Sequence, residues 1–207
     1  MADKKVLLVE GIDDEKVFEH LCRNRGGPLI DTITVCKNVE QLLKHFPIRL
    51  KQSDITSLGV VVDADDKPTS RWQSLRDRLS EAGYKDIPDK PLLDGTILDR
   101  PSEGILPRVG IWIMPDNRNT GILEDFLLFL VPDGSKLFTH VRSSVATIPP
   151  EERRFGPQAE PKAIIHTWLA WQKDPGKPLG TAITAKFLDP NVPQVDVLMS
   201  WLDRLFE

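Results

Sequence analysis

A chain of 207 residues, 40% hydrophobic and 28% charged, has enough apolar material for one sizeable core, and its length does not demand two independently folding domains. Its formal net charge of −4 excludes a protein that holds nucleic acid through a uniformly basic surface, while a local basic groove or a bridging metal stays open. No apolar run is long enough to span a bilayer, so neither a membrane segment nor a membrane partner is expected, and a cytoplasmic protein follows.

Lys5–Val9 is a β-branched and leucine run that predicts a strand, closed by Glu10-Gly11. The spacing of Val17, Phe18, Leu21 and Cys22 predicts a helix after it, with Asp13 as N-cap, Asp14 and Glu15 in the first turn and Gly26-Gly27-Pro28 as the stop. Leu29–Cys36 predicts a second strand around DTITVC, and Asn38 opens a shorter helix through Leu42 and Leu43. Ser57–Val62 is a third strand, and Pro68–Ala82 a helix on Trp72, Leu75 and Leu79, with Pro68 placed early, where its missing N–H is harmless, and Gly83 at the stop. Asp86–Arg108 is rich in Pro, Gly and Asp and predicts short strands at most, around Thr96–Leu98. Val109–Met114 is the next strand, PDNRNTG a polar loop, and Ile122–Val131 an apolar helix carrying Glu124 and Asp125 near its start. Beyond Pro132 the pattern is helical only: Ser135–Ala146, Pro161–Gln172 and Gln194–Phe206, the last with a stripe of Val195, Leu198, Leu202 and Leu205.

Strands alternating with helices predict βαβ units, hence an α/β fold on a mostly parallel, Rossmann-like sheet flanked by helices. Residues 1–132 form the α/β domain and 133–207 a helical extension packed on it, with the loop around Ile148–Pro157 separating its helices. Cys22 and Cys36 have neither metal-ligand spacing nor the density of a disulfide scaffold and read as buried free thiols. The four histidines are scattered without metal spacing, and Trp168 and Trp171 read as core of the last third before they read as a base-stacking platform. Arg71, Arg76 and Arg78 make the third helix basic, either a solvated face or a surface for phosphates.

The chemistry gathers at strand ends. In an open parallel sheet, ligands bind at the carboxyl ends of the strands. Glu10 leaves the first strand, Asp63 and Asp65 the third, and Asp116 with Glu124 follows VGIWIM. Carboxylates brought close repel by about 4 kcal/mol per pair at a protein-surface dielectric, so a cation must offset them. Mg²⁺ is the expected one, with Mn²⁺ as its alternative, because it is hard, octahedral and satisfied by a few carboxylates plus waters and substrate phosphates. On an extended or turning backbone Asp63 and Asp65 can face one ion, whereas on a helix they would diverge.

LLVEGIDDEKVF followed by GVVVDADD resembles the Toprim domain, a strand ending in Glu-Gly with an acid shortly after, then a hydrophobic strand ending in Asp-x-Asp. Topoisomerases, bacterial primases, OLD-family nucleases and small 5S-rRNA-maturation-type nucleases share that module. With GILEDFL and PKAIIHTWLAWQ included, the whole chain looks most like a small uncharacterised bacterial family of the DUF3226 type. The resemblance implies that Glu10 is a metal ligand or the general acid/base, that Asp14, Asp63 and Asp65 hold Mg²⁺, and that Glu124 and, more loosely, Asp116 add ligands. Hydrolysis at such a site also calls for a protein cation, for which Lys162 and Lys186 are the candidates.

Only one tyrosine, Tyr84, is present, and no Gly-Lys-Ser/Thr phosphate loop, so topoisomerase and OLD-type ATPase activities are not expected. What remains is a Mg²⁺-dependent phosphodiester-cleaving enzyme acting on DNA or RNA. Two alternatives stay open: a non-catalytic metal- or nucleic-acid-binding module, and a receiver-like signalling domain phosphorylated at Asp63. Against the last, VGIWIMPDN lacks the lysine that receivers carry after their fifth strand. The sequence specifies no partner protein and no oligomeric state.

Overall fold

The computed structural model describes residues 3–101 and 105–207, so residues 1–2 of the amino-terminal segment and 102–104 of the Asp86–Arg108 segment lie outside it. Five strands form one sheet in the order β2-β1-β3-β5-β4. They are β1 (Lys4–Val9), β2 (Thr32–Val35), β3 (Ile55–Asp63), β4 (Thr96–Leu98) and β5 (Arg108–Met114). The first four in spatial order are parallel, and β4 alone runs antiparallel, on the outer edge of β5.

The alternation of side chains along the central strands divides the core in two. Val6, Leu8, Val60, Val62, Ile111 and Ile113 point to one face, covered by α2 (Val39–Leu50) and α3 (Pro68–Ala82). Leu7, Val9, Val61, Trp112 and Met114 point to the other, covered by α1 (Ile12–Arg25) and the carboxyl-terminal helices. Burial on both faces is why these strands read as unbroken apolar runs rather than alternating ones.

The carboxyl-terminal helices are α4 (Leu123–Leu128), α5 (Lys136–Ala146), α6 (Glu160–Ala170), α7 (Leu179–Thr184) and α8 (Pro193–Phe206). They share one apolar cluster with α1 and the sheet. The apolar stripe of α8 lies on β3 and β5 where Gly59 and Gly110, partners across the two strands, leave room. A Cβ at Gly59 would meet Leu7 at 2.6 Å and Leu205 at 3.1 Å. Trp201 of α8 sits 5.6 Å from Trp112, centroid to centroid. Each such fully buried side chain contributes about 1.5–3 kcal/mol.

Several boundaries differ from expectation. Gly11, not Asp13, is the N-cap of α1, which moves Asp13 into the first turn and puts Asp14 at the third helical position. The second strand keeps only Thr32–Val35 of the expected Leu29–Cys36, in register with Val6–Val9 of β1. The helix expected over Ile122–Val131 ends at Leu128 and continues in tighter turns, with Phe129, Leu130 and Val131 each donating three residues back. α7 was not expected, since six residues are too few to display a helical period. Among the described residues no helix is long and apolar enough to cross a membrane.

Candidate metal centre

Because β1, β3 and β5 are parallel, their last residues reach the same edge of the sheet. Asp63 is the final residue of β3 and lies opposite Met114 of β5. Its N–H donates to Glu10 Oε1 at 2.9 Å, which joins the acid after β1 to the acid ending β3. On its other side Asp63 Oδ1 accepts from the N–H of Leu123, the first residue of α4, at 2.9 Å.

Two helix starts add two buried acids to the half-buried Glu10 and Asp63. Asp14 is 7% exposed, and its Oδ2 accepts the Gly11 N–H at 3.0 Å, closing the first turn of α1. Glu124, at the second position of α4, is 3% exposed and pairs with Lys162 Nζ of α6 at 3.0 Å. Acids suit both positions through the helix dipole, so the same residues that start the helices line the edge.

The carboxylates act on one another. Burial pushes Asp63 up to about 8, with the charges of Asp14, Glu10, Glu124 and Asp65 adding to it. Asp14 rises to about 7, again chiefly through burial, opposed by the Gly11 hydrogen bond and reinforced by Glu10 and Glu124. Glu10 is raised by burial, partly offset by the Asp63 N–H and the Arg71 charge. Burial alone would lower the Lys162 ammonium, but Glu124, with Asp13 and Asp63 behind it, outweighs this and holds it above its ordinary value.

Asp65 stands apart from the buried group. Its backbone is left-handed, φ 51°, and is held by paired hydrogen bonds with Gly121, each 2.9 Å. Its half-exposed carboxylate accepts from Arg71 Nη2 at 2.6 Å while its charge still reaches Glu10 and Asp63. Asp116 turns onto its own loop: Oδ1 accepts from the N–H groups of Arg118 and Asn119 at 3.2 and 2.8 Å, and Oδ2 from Asn119 Nδ2 at 2.6 Å. Lys186, the other cation candidate, is exposed just past α7.

Arg71 was not expected as part of the site. The third helix does not present a free basic face: Arg71 bonds Asp63 O and Asp65, Arg76 pairs with Asp89 at 2.8 Å, and Arg78 donates to Leu43 O and Ser74 O at 2.9 and 2.7 Å. Trp168 is buried, while Trp171 is half exposed with its ring 5.5 Å from His140. The Tyr84 hydroxyl donates to Pro107 O at 2.6 Å, ahead of β5 and hence at the opposite sheet edge from the acids. Cavities of about 670 and 510 Å³ open elsewhere, and none of Glu10, Asp14, Asp63, Asp65 and Glu124 lines them.

Among the described residues no group of three or more His, Cys, Asp or Glu side chains stands in ready-made ion-holding geometry. The donors nevertheless fit a hard cation: they are all carboxylate oxygens, and their mutual repulsion in an enclosed place is relieved either by protons or by a metal. A family model described as a protein of unknown function (DUF3226) matches residues 4–207. No curated protein and no solved structure matches.

Proposed function

We propose that this chain, which belongs to the DUF3226 family, is a Mg²⁺-dependent nuclease with a Toprim-type acidic site, acting on phosphodiester bonds of DNA or RNA. The observation that carries this is Asp63 at the end of β3, half-buried, tied to Glu10 and Leu123, and raised to about 8 by burial and by four neighbouring carboxylates. Asp63, Asp14 and Glu124 would hold the ion, with Asp65 at the rim; Asp116 is left to brace its own turn. Mn²⁺ is the alternative occupant. When bound, the ion supplies charge neutralisation and orients the attacking and leaving oxygens.

The chain's own residues have distinct tasks. Glu10 is the general acid/base, since burial raises its carboxyl above the ordinary carboxylate value and it is tethered to the metal-holding strand end through the Asp63 N–H. Lys162 stays charged and, with 53% of its side chain exposed, can turn from Glu124 to a phosphate oxygen. A non-catalytic metal- or nucleic-acid-binding module is the second reading, favoured by Arg71 and Lys162, which already neutralise Asp65 and Glu124.

The test is incubation of the protein with plasmid, single-stranded DNA and structured RNA, with Mg²⁺, Mn²⁺ or chelator. Metal-dependent cleavage that Glu10→Gln abolishes supports the nuclease. Metal binding without turnover on any substrate supports the second reading.

A further inference from the structure

The acidic edge has a resident cation beside it. Arg71, at the end of the first turn of α3, donates from Nε to the Asp63 carbonyl at 2.8 Å and from Nη2 to Asp65 Oδ2 at 2.6 Å. One planar fork therefore spans both ends of the Asp63–Asp65 turn, its two donors held in a fixed plane. The Asp65 backbone is fixed independently through Gly121, so what Arg71 governs is the direction of the carboxylate.

Exposure separates this pair from the rest of the site. The Arg71 side chain is 14% exposed and that of Asp65 48%. An ion pair whose carboxylate is half exposed is weaker and exchanges its partner at lower cost than a buried one, whereas the buried Asp14 and Glu124 cannot lose theirs without compensation. Beside Asp65 a cavity of about 270 Å³ opens, lined by Asp66, Gly121, Asp125 and Gln158 among others. Its lining is more apolar than polar, but Asp65, Asp66 and Asp125 border it and its volume admits a hydrated ion.

We propose that Arg71 is a positioning residue that holds the Asp65 carboxylate at the rim of the acidic edge in the metal-free protein and yields it to the divalent cation on binding. This rests on the metal-site assignment above and adds a sequence of events to it. Asp65 is delivered last, and the guanidinium competes with the ion for it.

Calorimetric titration of Mg²⁺ at one pH into wild type, Arg71→Gln, Arg71→Lys, Asp65→Asn and the Arg71→Gln/Asp65→Asn double variant tests this. Arg71→Gln should bind Mg²⁺ about three- to tenfold tighter than wild type, because the competing charge is gone, and Arg71→Lys, which keeps the charge, should stay within about threefold of wild type. The gain should vanish when Asp65 is also Asn, as it must if Arg71 acts through that carboxylate. Unchanged or weaker binding in folded Arg71→Gln overturns the proposal, as does a gain that survives loss of Asp65. In the wild-type protein, Mg²⁺ should also shift the Arg71 guanidinium NMR signals, which needs no variant to fold; signals that stay put overturn it as well. Wild type that binds no Mg²⁺ removes both this and the metal site. Binding that Asp63→Asn abolishes while Arg71→Gln leaves it unchanged removes this proposal alone.

Discussion

Glu10 and Asp63 are joined by a backbone hydrogen bond: the Asp63 N–H donates to the Glu10 carboxylate at 2.9 Å across two parallel strands. The proposed general acid/base and the acid proposed to hold the metal are therefore not independent. Whatever moves one strand end moves both groups, which keeps their separation fixed without a flexible loop between them.

Glu10→Gln should separate chemistry from structure. The amide oxygen still accepts the Asp63 N–H, so stability should change by less than about 1 kcal/mol, while cleavage is abolished. Glu10→Ala removes the acceptor as well and should cost about 1–3 kcal/mol. Urea unfolding and cleavage assays on both variants check the distinction.

The metal-free protein should lose stability as pH rises. Folded Asp63 and Asp14 titrate near 8 and 7, above the ordinary value of 3.8, so between those limits the native state binds protons the unfolded chain has released. More protons on the native side means stability falls with increasing pH. That contribution is full below about 3.8 and is lost as pH passes through 7 and 8. In chelator, the melting temperature should drop by more than about 5 °C from pH 5 to pH 8.5, since each group gives up about 1.4 kcal/mol per pH unit until its folded value is passed and about 2–4 °C corresponds to each kcal/mol for a chain of this size. Asp63→Asn should flatten the curve, and saturating Mg²⁺ should restore the high-pH side.

Lys162→Ala leaves Glu124 buried at 3% exposure without its partner. A fully buried pair broken on one side costs about 3–5 kcal/mol, and because Lys162 is half exposed the expected loss is about 1–2 kcal/mol. Adding Glu124→Gln should recover most of it, which thermal denaturation of the double variant would show.

α8 should be an integral part of the fold. Leu205→Ala should cost about 2–5 kcal/mol, because Leu205 is fully buried over Gly59 and Gly110. Gly110→Ala should cost about 1–3 kcal/mol for the opposite reason, its added carbon running into Leu205. A truncation before Pro193 that melted like the full chain would contradict both.

The sequence carried the sheet well because β1, β3 and β5 are buried on both faces and so appear as uninterrupted apolar runs closed by acids. Pro68 and Gly83 marked α3 at both ends, since one fits only a helix start and the other a left-handed stop. The gathering of acids at this edge was legible as far as Glu10, Asp14, Asp63 and Glu124, which the strand ends and helix starts position by local rules. Arg71 was not, because its partner depends on the left-handed backbone of Asp65, and nothing in an Asp-Ala-Asp string announces that conformation. α7 was hidden for a related reason: its burial comes from contact with α1, where a Cβ at Gly180 would meet the Lys16 backbone at 2.6 Å, and not from any period of its own.

Calorimetric titration of Mg²⁺ into the wild-type protein and into Asp63→Asn at pH 8.5, where protons compete least, tests the metal-holding role proposed for Asp63. Saturable binding by wild type that falls at least about tenfold in Asp63→Asn is the predicted result. Wild-type protein that takes up no Mg²⁺ or Mn²⁺, or a variant that binds as well as wild type, would contradict it.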